Sequence, residues 1–345
     1  MKVFIGPNEV ANIGAILASA LKERGIRVTV VAHKTSPLRA GMGYDMVLDF
    51  QRSSKLRGIL RYLYCFVKYF PKHNAFIFLS GQSLLPYNLD LPILKLFRKK
   101  TIMWFVGSDI RHYESLAAAA KKAGVKYYMS EEKLRKQREA GPKGLKQRKR
   151  VIRMVERYVD YILSSPSYSQ LLTREYCRIY APLDTCNIGY RNVPNSRPIV
   201  VHAPSKPENK GTSYISEAVE RLKREGYDFE FHLFTNTSNI KVRETLSDAD
   251  IAVDQLFATV PGMFALESMA AGCAVLGGNV PEFSGFPREL PIIHTDPDNI
   301  YRNLKMLLEN PELRRELGDK SRRYVEKYHD YRKIADDIVK LITEN

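Results

Sequence analysis

The stretch GMFALESMAAG, Gly262 to Gly272, holds a single carboxylate, Glu267. Met263, Phe264, Ala270 and Ala271 stand three and four residues to either side of it. On a helix these are its same-face neighbours. All four are apolar, so the pattern buries a charge unless something polar comes to meet it. The loop before the helix, FATVPG, ends at Gly262, which lets a ligand approach the backbone closely. A helix starting at Met263 offers unpaired N–H groups at Met263 and Phe264 and the positive end of its dipole. That is the outline of a diphosphate site. Glu267, one turn further in, is placed to accept two hydrogen bonds from a vicinal diol such as a ribose. The competing reading, an ordinary helix-surface glutamate, fits poorly with its apolar neighbours.

A second loop, HAPSKPENKGTSYISEAVERL, runs from a strand end through two prolines to Lys210-Gly211-Thr212. There an amphipathic helix opens, with Thr212 or Ser213 as its cap. Lys206 and Lys210 would grip a pyrophosphate from the side opposite Gly262. A solvated turn lysine is the ordinary reading of an isolated K-G-T, and the spacing is not that of a P-loop, which argues against ATP hydrolysis of that type. In WFVGSDIRHY, Gly107, Ser108 and Asp109 stand at a strand end. Asp109 is either a site residue or the N-cap of the next helix. The loop in IGPNEVANIGAIL, with Asn12 and Gly14, lacks the G-x-G-x-x-G pattern, so a nicotinamide or flavin site is not supported. Asp248 and Asp250 resemble a D-x-D metal pair but sit where helix-terminating acids are common. The 7 histidines have no metal-ligand spacing, and no metal site is expected.

These loops need a scaffold. Short β-rich runs (KVFIG, RVTVVA, AFIFLS, TIMWFV, YILSS) alternate with helical patterns in the first half, which predicts a parallel sheet covered on both faces. The rhythm lapses over 176–198 and restarts with IVVHA, FEFHLF, DIAVDQL, CAVLGG and PIIHT. The expected fold is therefore α/β: two doubly wound, Rossmann-like domains facing each other across a cleft. Residues 1–180 form the first domain and 195–328 the second. A terminal helix over 329–345, after a break near His329–Tyr331, packs back on the first. In such sheets ligands lie beyond the carboxyl ends of the strands, which is where the loops above fall.

A length of 345 residues fits two domains, and the formal charge of +16 implies anionic company. Cys65, Cys177, Cys186 and Cys273 are scattered, as reduced cytoplasmic thiols are. Pro7, Asn8 and Glu9 interrupt any signal-peptide core, and the apolar run ILRYLYCFVKYF carries Arg61 and Lys68 and is too short to span a bilayer. In GLKQRKRVIRMVERYVDY, Lys146, Lys149, Arg150, Arg153 and Arg157 form a basic stripe opposite Val151, Met154, Val155 and Tyr158. SSKLRGILRYLYCFVKYFPK mixes basic and aromatic residues in a second helix. Both read equally as solvated surface or as peripheral contact with an anionic membrane. No nucleic-acid motif is present, and no nucleic-acid partner is expected.

Taken together, HAPSKPENKGTSYISEAVERLKREG, ADIAVDQL, GMFALESMAAGCAVL, SLLPYNLDLPILKLFRKKTIMWFVGSDIR and NPELRRELGDKSRRYVEKYHD resemble the retaining glycosyltransferases of the GT-B fold, in particular glycosyltransferase family 4. The resemblance covers nearly the whole chain. It implies a nucleotide-diphosphate sugar, UDP-linked by preference, as donor substrate with no cofactor or metal, and a hydroxyl acceptor that is a glycan, a lipid-linked saccharide or a small molecule. By this resemblance Lys210 neutralises the diphosphate, assisted by Lys206. Gly262 and the amides of Met263 and Phe264 cradle it, and Glu267 holds the ribose. Asp109 lies near the sugar or acceptor, and the loop of Asn12 and Gly14 meets the phosphates or the acceptor. The sequence departs from the family at Thr259, where a sugar-contacting glutamate is usual, at Ser205 in place of an arginine, and at Val106 in place of a histidine. The departures touch sugar recognition and catalysis and leave nucleotide anchoring whole. A nucleotide-sugar epimerase of the same fold and a non-catalytic nucleotide-sugar-binding protein are the rival expectations.

Overall fold

The runs rich in Val, Ile and Phe become strands, and every pairing between them is parallel. In this computed structural model, which describes residues 1–33, 43–48, 55–281 and 285–344, the chain divides into two compact units. Ser53 and Ser54 of the basic-aromatic segment lie outside the described residues.

The first unit comprises 1–116, 140–182 and 331–345. Its strands are β1 (Lys2–Ile5), β2 (Arg27–Ala32), β3 (Met46–Val47), β4 (Ala75–Leu79), β5 (Lys100–Trp104), β6 (Tyr161–Ser164) and β7 (Cys177–Arg178). They are ordered β3-β2-β1-β4-β5-β6-β7. Alternation sends Val3, Ile5, Ile77 and Leu79 to one face and Phe4, Phe76 and Phe78 to the other. The first face is covered by α1 (Ile13–Glu23) and by a C-terminal helix, Tyr331–Thr343, whose Ile334, Ala335 and Ile338 join that core. The second face is covered by α2 (Lys55–Tyr69), α3 (Leu91–Leu96) and the last turns of a long helix that ends at Tyr158. Helix α4 spans Tyr113–Lys122 and α5 spans Glu131–Tyr158, broken at Gly141 (φ 50°) before Pro142. The expected helix in LDLPILKLFRKK stops at Leu96, because Arg98 turns left-handed (φ 51°) and β5 begins two residues later. The edge strands β3 and β7 are two residues long and carry no sequence periodicity.

The second unit comprises 183–330 and also 117–139. The latter segment corrects the boundary drawn from strand–helix alternation, which placed it in the first domain. Its attachment is polar and invisible to periodicity: Lys126 and Tyr128 donate to Asp298, Ser130 to Asn209, and Asn209 to Glu132. The passage at 182–183 falls inside the irregular 176–198 stretch. The sheet is β8 (Ile199–His202), β9 (Glu230–Leu233), β10 (Ile251–Val253), β11 (Ala274–Gly277) and β12 (Ile292–His294), in the order β12-β11-β10-β8-β9. Helices α6 (Pro207–Lys210), α7 (Thr212–Arg224), α8 (Asn239–Leu246), α9 (Met263–Ala271), α10 (Ile300–Glu309) and α11 (Pro311–Tyr328) surround it. The C-terminal helix is α12, and the break before it falls at His329–Asp330. Ile215, Ala218, Val219 and Leu222 of α7 and Ile300, Leu304 and Leu307 of α10 close the core over Val200, Ile251 and Val253.

Both sheets have a point where strand order reverses, between β1 and β4 in the first and between β8 and β10 in the second. Loops leaving the carboxyl ends of such strand pairs form the ligand crevice of doubly wound sheets.

Candidate functional site

In the second unit the loops at the reversal are those carrying Lys210 and Gly262. They are fastened to one another. The carbonyl of Lys210 accepts the Leu256 N–H at 2.9 Å, and its ammonium donates to Gln255 Oε1 at 2.6 Å. Gly211 turns left-handed at φ 80° between α6 and α7, and a Cβ there would stand 3.0 Å from that of Leu256. Glycine is therefore required twice over. Lys206 is exposed at the start of α6 and Lys210 is half-buried at its end.

Gly262 is the N-cap of α9 and has an ordinary extended backbone (φ −87°, ψ 176°). Its need for glycine is spatial, since a Cβ would lie 3.1 Å from Asp254 Oδ2. The Gly262 N–H is already engaged, donating to Asp254 Oδ2 at 2.7 Å. The amides aimed out of the helix end are therefore those of Met263, Phe264 and Ala265. No side chain caps α9, and its first internal bond runs from Leu266 N–H to the Gly262 carbonyl.

Glu267 is 5% exposed. Its charge is met by α8: Asn239 Nδ2 donates to both oxygens at 3.2 and 3.1 Å, and Arg243 Nε lies 3.3 Å from Oε1. The Arg243 N–H makes no aligned hydrogen bond, so that contact is coulombic. Part of the answer to the buried charge thus lies inside the protein, in residues the sequence reading passed over. The available signal was the FTNTSN loop after β9, where Ser238 caps α8 by accepting the Lys241 N–H at 3.3 Å. These contacts fix the carboxylate's orientation and leave it acceptor capacity, because an ionised carboxylate offers about four lone-pair sites.

His202 was also passed over. It ends β8, wholly buried, with Nδ1 donating to the Val253 carbonyl at 2.7 Å and Nε2 accepting from the Thr212 hydroxyl at 2.9 Å. Burial lowers its pKa to about 4. The neutral ring thus pins β8, β10 and the start of α7 together. Thr259 is buried, its carbonyl accepting the Val280 N–H, and Ser205 is exposed. Asp250 is structural: it accepts from the backbone N–H groups of Asn195 and Ile199, each at 2.8 Å. Among the described residues no group of three or more His, Cys, Asp or Glu is placed to hold a metal ion.

In the first unit, Gly14 and Asn12 lie at the reversal after β1. Asn12 is left-handed (φ 64°), and the carboxylate of Glu9 accepts the N–H groups of Val10 at 2.8 Å and of Gly14 and Ala15 at 3.1 Å each. The α1 end thus meets an acid from its own loop. Asp109 folds back to accept the N–H groups of Gly107 at 2.8 Å and Val106 at 3.3 Å. Burial raises its pKa against those stabilising bonds. It lines a cavity of about 690 Å³ shared with Tyr62, Gln82, Asn88, Gln147 and Arg148. Val106 is half-buried nearby in sequence.

Residues 216–340 match the family model described as glycosyl transferase-like, a span that includes Glu267, Asn239 and Arg243 but starts after Lys210. No curated protein matches the chain by sequence. Several solved structures resemble it over nearly their whole length at low identity. Sucrose-phosphate synthase from Thermosynechococcus elongatus is 14% identical with a TM-score of 0.65, covering 99% of this chain and 97% of that one. WaaG, a glycosyltransferase involved in lipopolysaccharide biosynthesis, is 13% identical with a TM-score of 0.61, and each chain is covered in full. An alpha-glucosyltransferase in complex with UDP and a 13-mer DNA is 12% identical with a TM-score of 0.61, covering 99% and 98%. The fold is that of the GT-B glycosyltransferases. Within it, the chain carries a glycosyl transferase-like domain over residues 216–340.

Proposed function

We propose that the protein transfers a sugar from a nucleotide-diphosphate donor to an acceptor hydroxyl, and that the second unit binds the donor. The observation that carries this is the arrangement at the β8/β10 reversal. Uncapped amides of Met263, Phe264 and Ala265 begin a helix whose buried Glu267 stands one turn inside, and Lys210 is tied to the adjoining loop. The amides and the Lys210 ammonium suit a diphosphate. The carboxylate of Glu267, oriented by Asn239 and Arg243, suits a ribose diol. Lys206, exposed, adds a second ammonium at the mouth.

Transfer breaks the bond between the anomeric carbon and the diphosphate oxygen and forms one to the acceptor oxygen. The acceptor proton passes to the departing phosphate, and the anomeric configuration is retained. The chain's contribution is charge stabilisation on the leaving group by Lys210 and the α9 end. Asp109 and its cavity in the first unit suit the acceptor's hydroxyls. UDP is the preferred nucleotide, as the alpha-glucosyltransferase bound to UDP supports. No described helix is long and apolar enough to cross a membrane.

Thermal shift with UDP-, GDP- and ADP-sugars tests the donor. One of them should raise the melting temperature, because a ligand that binds only the folded state stabilises it. No shift with any of the three overturns the proposal. Nucleotide binding without sugar transfer across an acceptor panel reduces it to a binding protein, and interconversion of sugar epimers by NMR makes it an epimerase.

A further inference from the structure

Helix α2 displays two surfaces of different kinds. Cys65 and Tyr69 are buried in the core of the first unit. On the outward side Ile59, Leu60, Leu63, Tyr64 and Val67 are 47–64% exposed. At about 100° per residue these five cover roughly 140° of the circumference, and Arg57, Arg61 and Lys68 run along one edge of that arc. The apolar surface continues beyond the helix. Phe70 meets the exposed Phe97 edge-on, with centroids 5.2 Å apart, and Leu96, beside Phe97, is 77% exposed. Of the 16 large hydrophobic residues exposed among the described residues, 9 fall between Ile59 and Phe97.

The same stretch is nearly free of acid. Between Asp49 and Asp109 the sequence has 10 lysines and arginines and one carboxylate, Asp90. Asp90 is fully buried, accepting from Ser83, Leu84 and Leu85. The surface is thus apolar at its centre and cationic at its rim, and the stretch that builds it contributes no exposed acid of its own.

We propose that this face seats the first unit on an anionic lipid bilayer, with α2 lying in the plane of the interface. The proposal goes beyond the transferase reading and does not depend on it. Charge complementarity selects the occupant. Apolar side chains enter the headgroup–acyl boundary while arginines and lysines meet lipid phosphates, and tyrosines such as Tyr64 sit at headgroup depth. A second copy of the chain packed on the same face would bring the like-charged rims of two α2 helices together. A nucleic acid has no use for five exposed aliphatic and aromatic side chains. The α5 stripe is a different case: Ile152 and Val155 are buried in the core, so only its charged side faces out. Ile59 and Tyr62 of α2 also line the 690 Å³ cavity, so seating the helix brings that cavity's mouth to the lipid surface.

The test is co-sedimentation of the full chain with phosphatidylglycerol-rich vesicles and with pure phosphatidylcholine vesicles. Wild type should bind the anionic vesicles selectively. Leu60→Glu/Val67→Glu should lower that binding by about tenfold or more. Ile240→Glu, on an exposed position of α8, should leave it unchanged, and the far-UV spectrum and the fluorescence of Trp104 should be the same in all three. Arg57→Gln/Lys68→Gln should remove the preference for anionic lipid. Equal binding by wild type and Leu60→Glu/Val67→Glu overturns the proposal, as does no binding by wild type. Loss of binding in Lys149→Glu/Arg153→Glu but not in the α2 variants assigns docking to α5 and overturns it too. Dimerisation abolished by the α2 changes, or binding of duplex DNA without vesicles, replaces the bilayer with a second copy or a nucleic acid. A donor-binding failure leaves these outcomes untouched, because the donor residues lie in the other unit.

Discussion

The two units put a glycine-bearing loop and a helix N-terminus at the same place, the strand-order reversal, and treat it differently. In the first unit the amides of Gly14 and Ala15 are met by Glu9, an acid from the loop itself. In the second, no side chain caps α9, and the only acid in the loop, Asp254, is spent on Gly262. The amides of the next three residues face outward. A helix end satisfied by its own carboxylate is a structural joint, while one whose loop acid is held a residue short is suited to an external anion. Fold alone does not distinguish them, and the position of one carboxylate does.

The sharpest way to break this contrast is Glu267→Ala. Two hydrogen bonds from a diol to a carboxylate contribute about 3–6 kcal/mol, so UDP affinity by calorimetry should fall on the order of 10²–10⁴-fold. Some folding stability should go with it, because Arg243 loses its partner. UDP affinity unchanged within twofold removes the ribose role and, with it, the asymmetry between the two helix ends.

Acidification probes the joint that holds the second site together. His202 has a folded pKa of about 4 against an ordinary 6.5, through burial. Between those values the unfolded chain binds more protons than the folded one, so stability is full above pH 6.5 and falls as the pH drops towards 4. The loss from this residue is about 3 kcal/mol at 1.36 kcal/mol per pKa unit. His33 in the first unit, also near 4 through burial, adds a loss of its own. His202→Gln cannot take up the proton. Urea unfolding at pH 7 and pH 4 should therefore show a smaller pH-dependent drop in the variant than in wild type, and an equal drop contradicts the assignment.

Glu9→Ala tests the other side. It removes an acceptor serving three backbone N–H groups at a helix start, which should cost about 2 kcal/mol. The chain's single tryptophan, Trp104, lies in the core of the first unit, so its fluorescence follows that unit's unfolding. UDP affinity should not change. If instead the variant binds UDP less well, the Asn12–Gly14 loop belongs to the donor site and the two helix ends are partners rather than contrasts.

Much of this was legible in the sequence. The alternation of short β-rich runs with amphipathic helices placed the principal strands, and the apolar neighbours of Glu267 marked it as a carboxylate held among buried groups. What escaped was set by contacts between residues far apart in sequence. The transfer of 117–139 to the second unit rests on side-chain bonds to Asp298 and Asn209, which leave no periodic trace. Asn239 and Arg243 reach Glu267 from 28 and 24 positions away, an approach that only the β9–α8–β10 connection creates. Glu9 reads as a polar loop residue until the fold brings it back onto α1. Gly262 was expected to supply an amide, but Asp254, eight residues earlier, takes it. The exposed face of α2 was ambiguous for a related reason, since composition alone does not say which apolar side of a helix is covered.

The finest test concerns Lys210, because its loop and the α9 end are held together independently of its charge. Its backbone carbonyl binds Leu256 whatever the side chain is, and the loss of one half-buried hydrogen bond to Gln255 costs little stability. Lys210→Ala should therefore melt within a few degrees of wild type. Its UDP affinity should fall by about 1 kcal/mol, the scale of a partly solvated charge contact screened by salt. The discriminating measurement compares UDP with UMP. If the ammonium serves the diphosphate, wild type favours UDP by a margin that shrinks with added salt, and the variant loses most of that margin while its UMP affinity stays the same. An equal fall for both nucleotides would place the lysine against the nucleoside. The outward amides of α9 would then carry the diphosphate alone, making the contrast with the Glu9-capped end of α1 steeper.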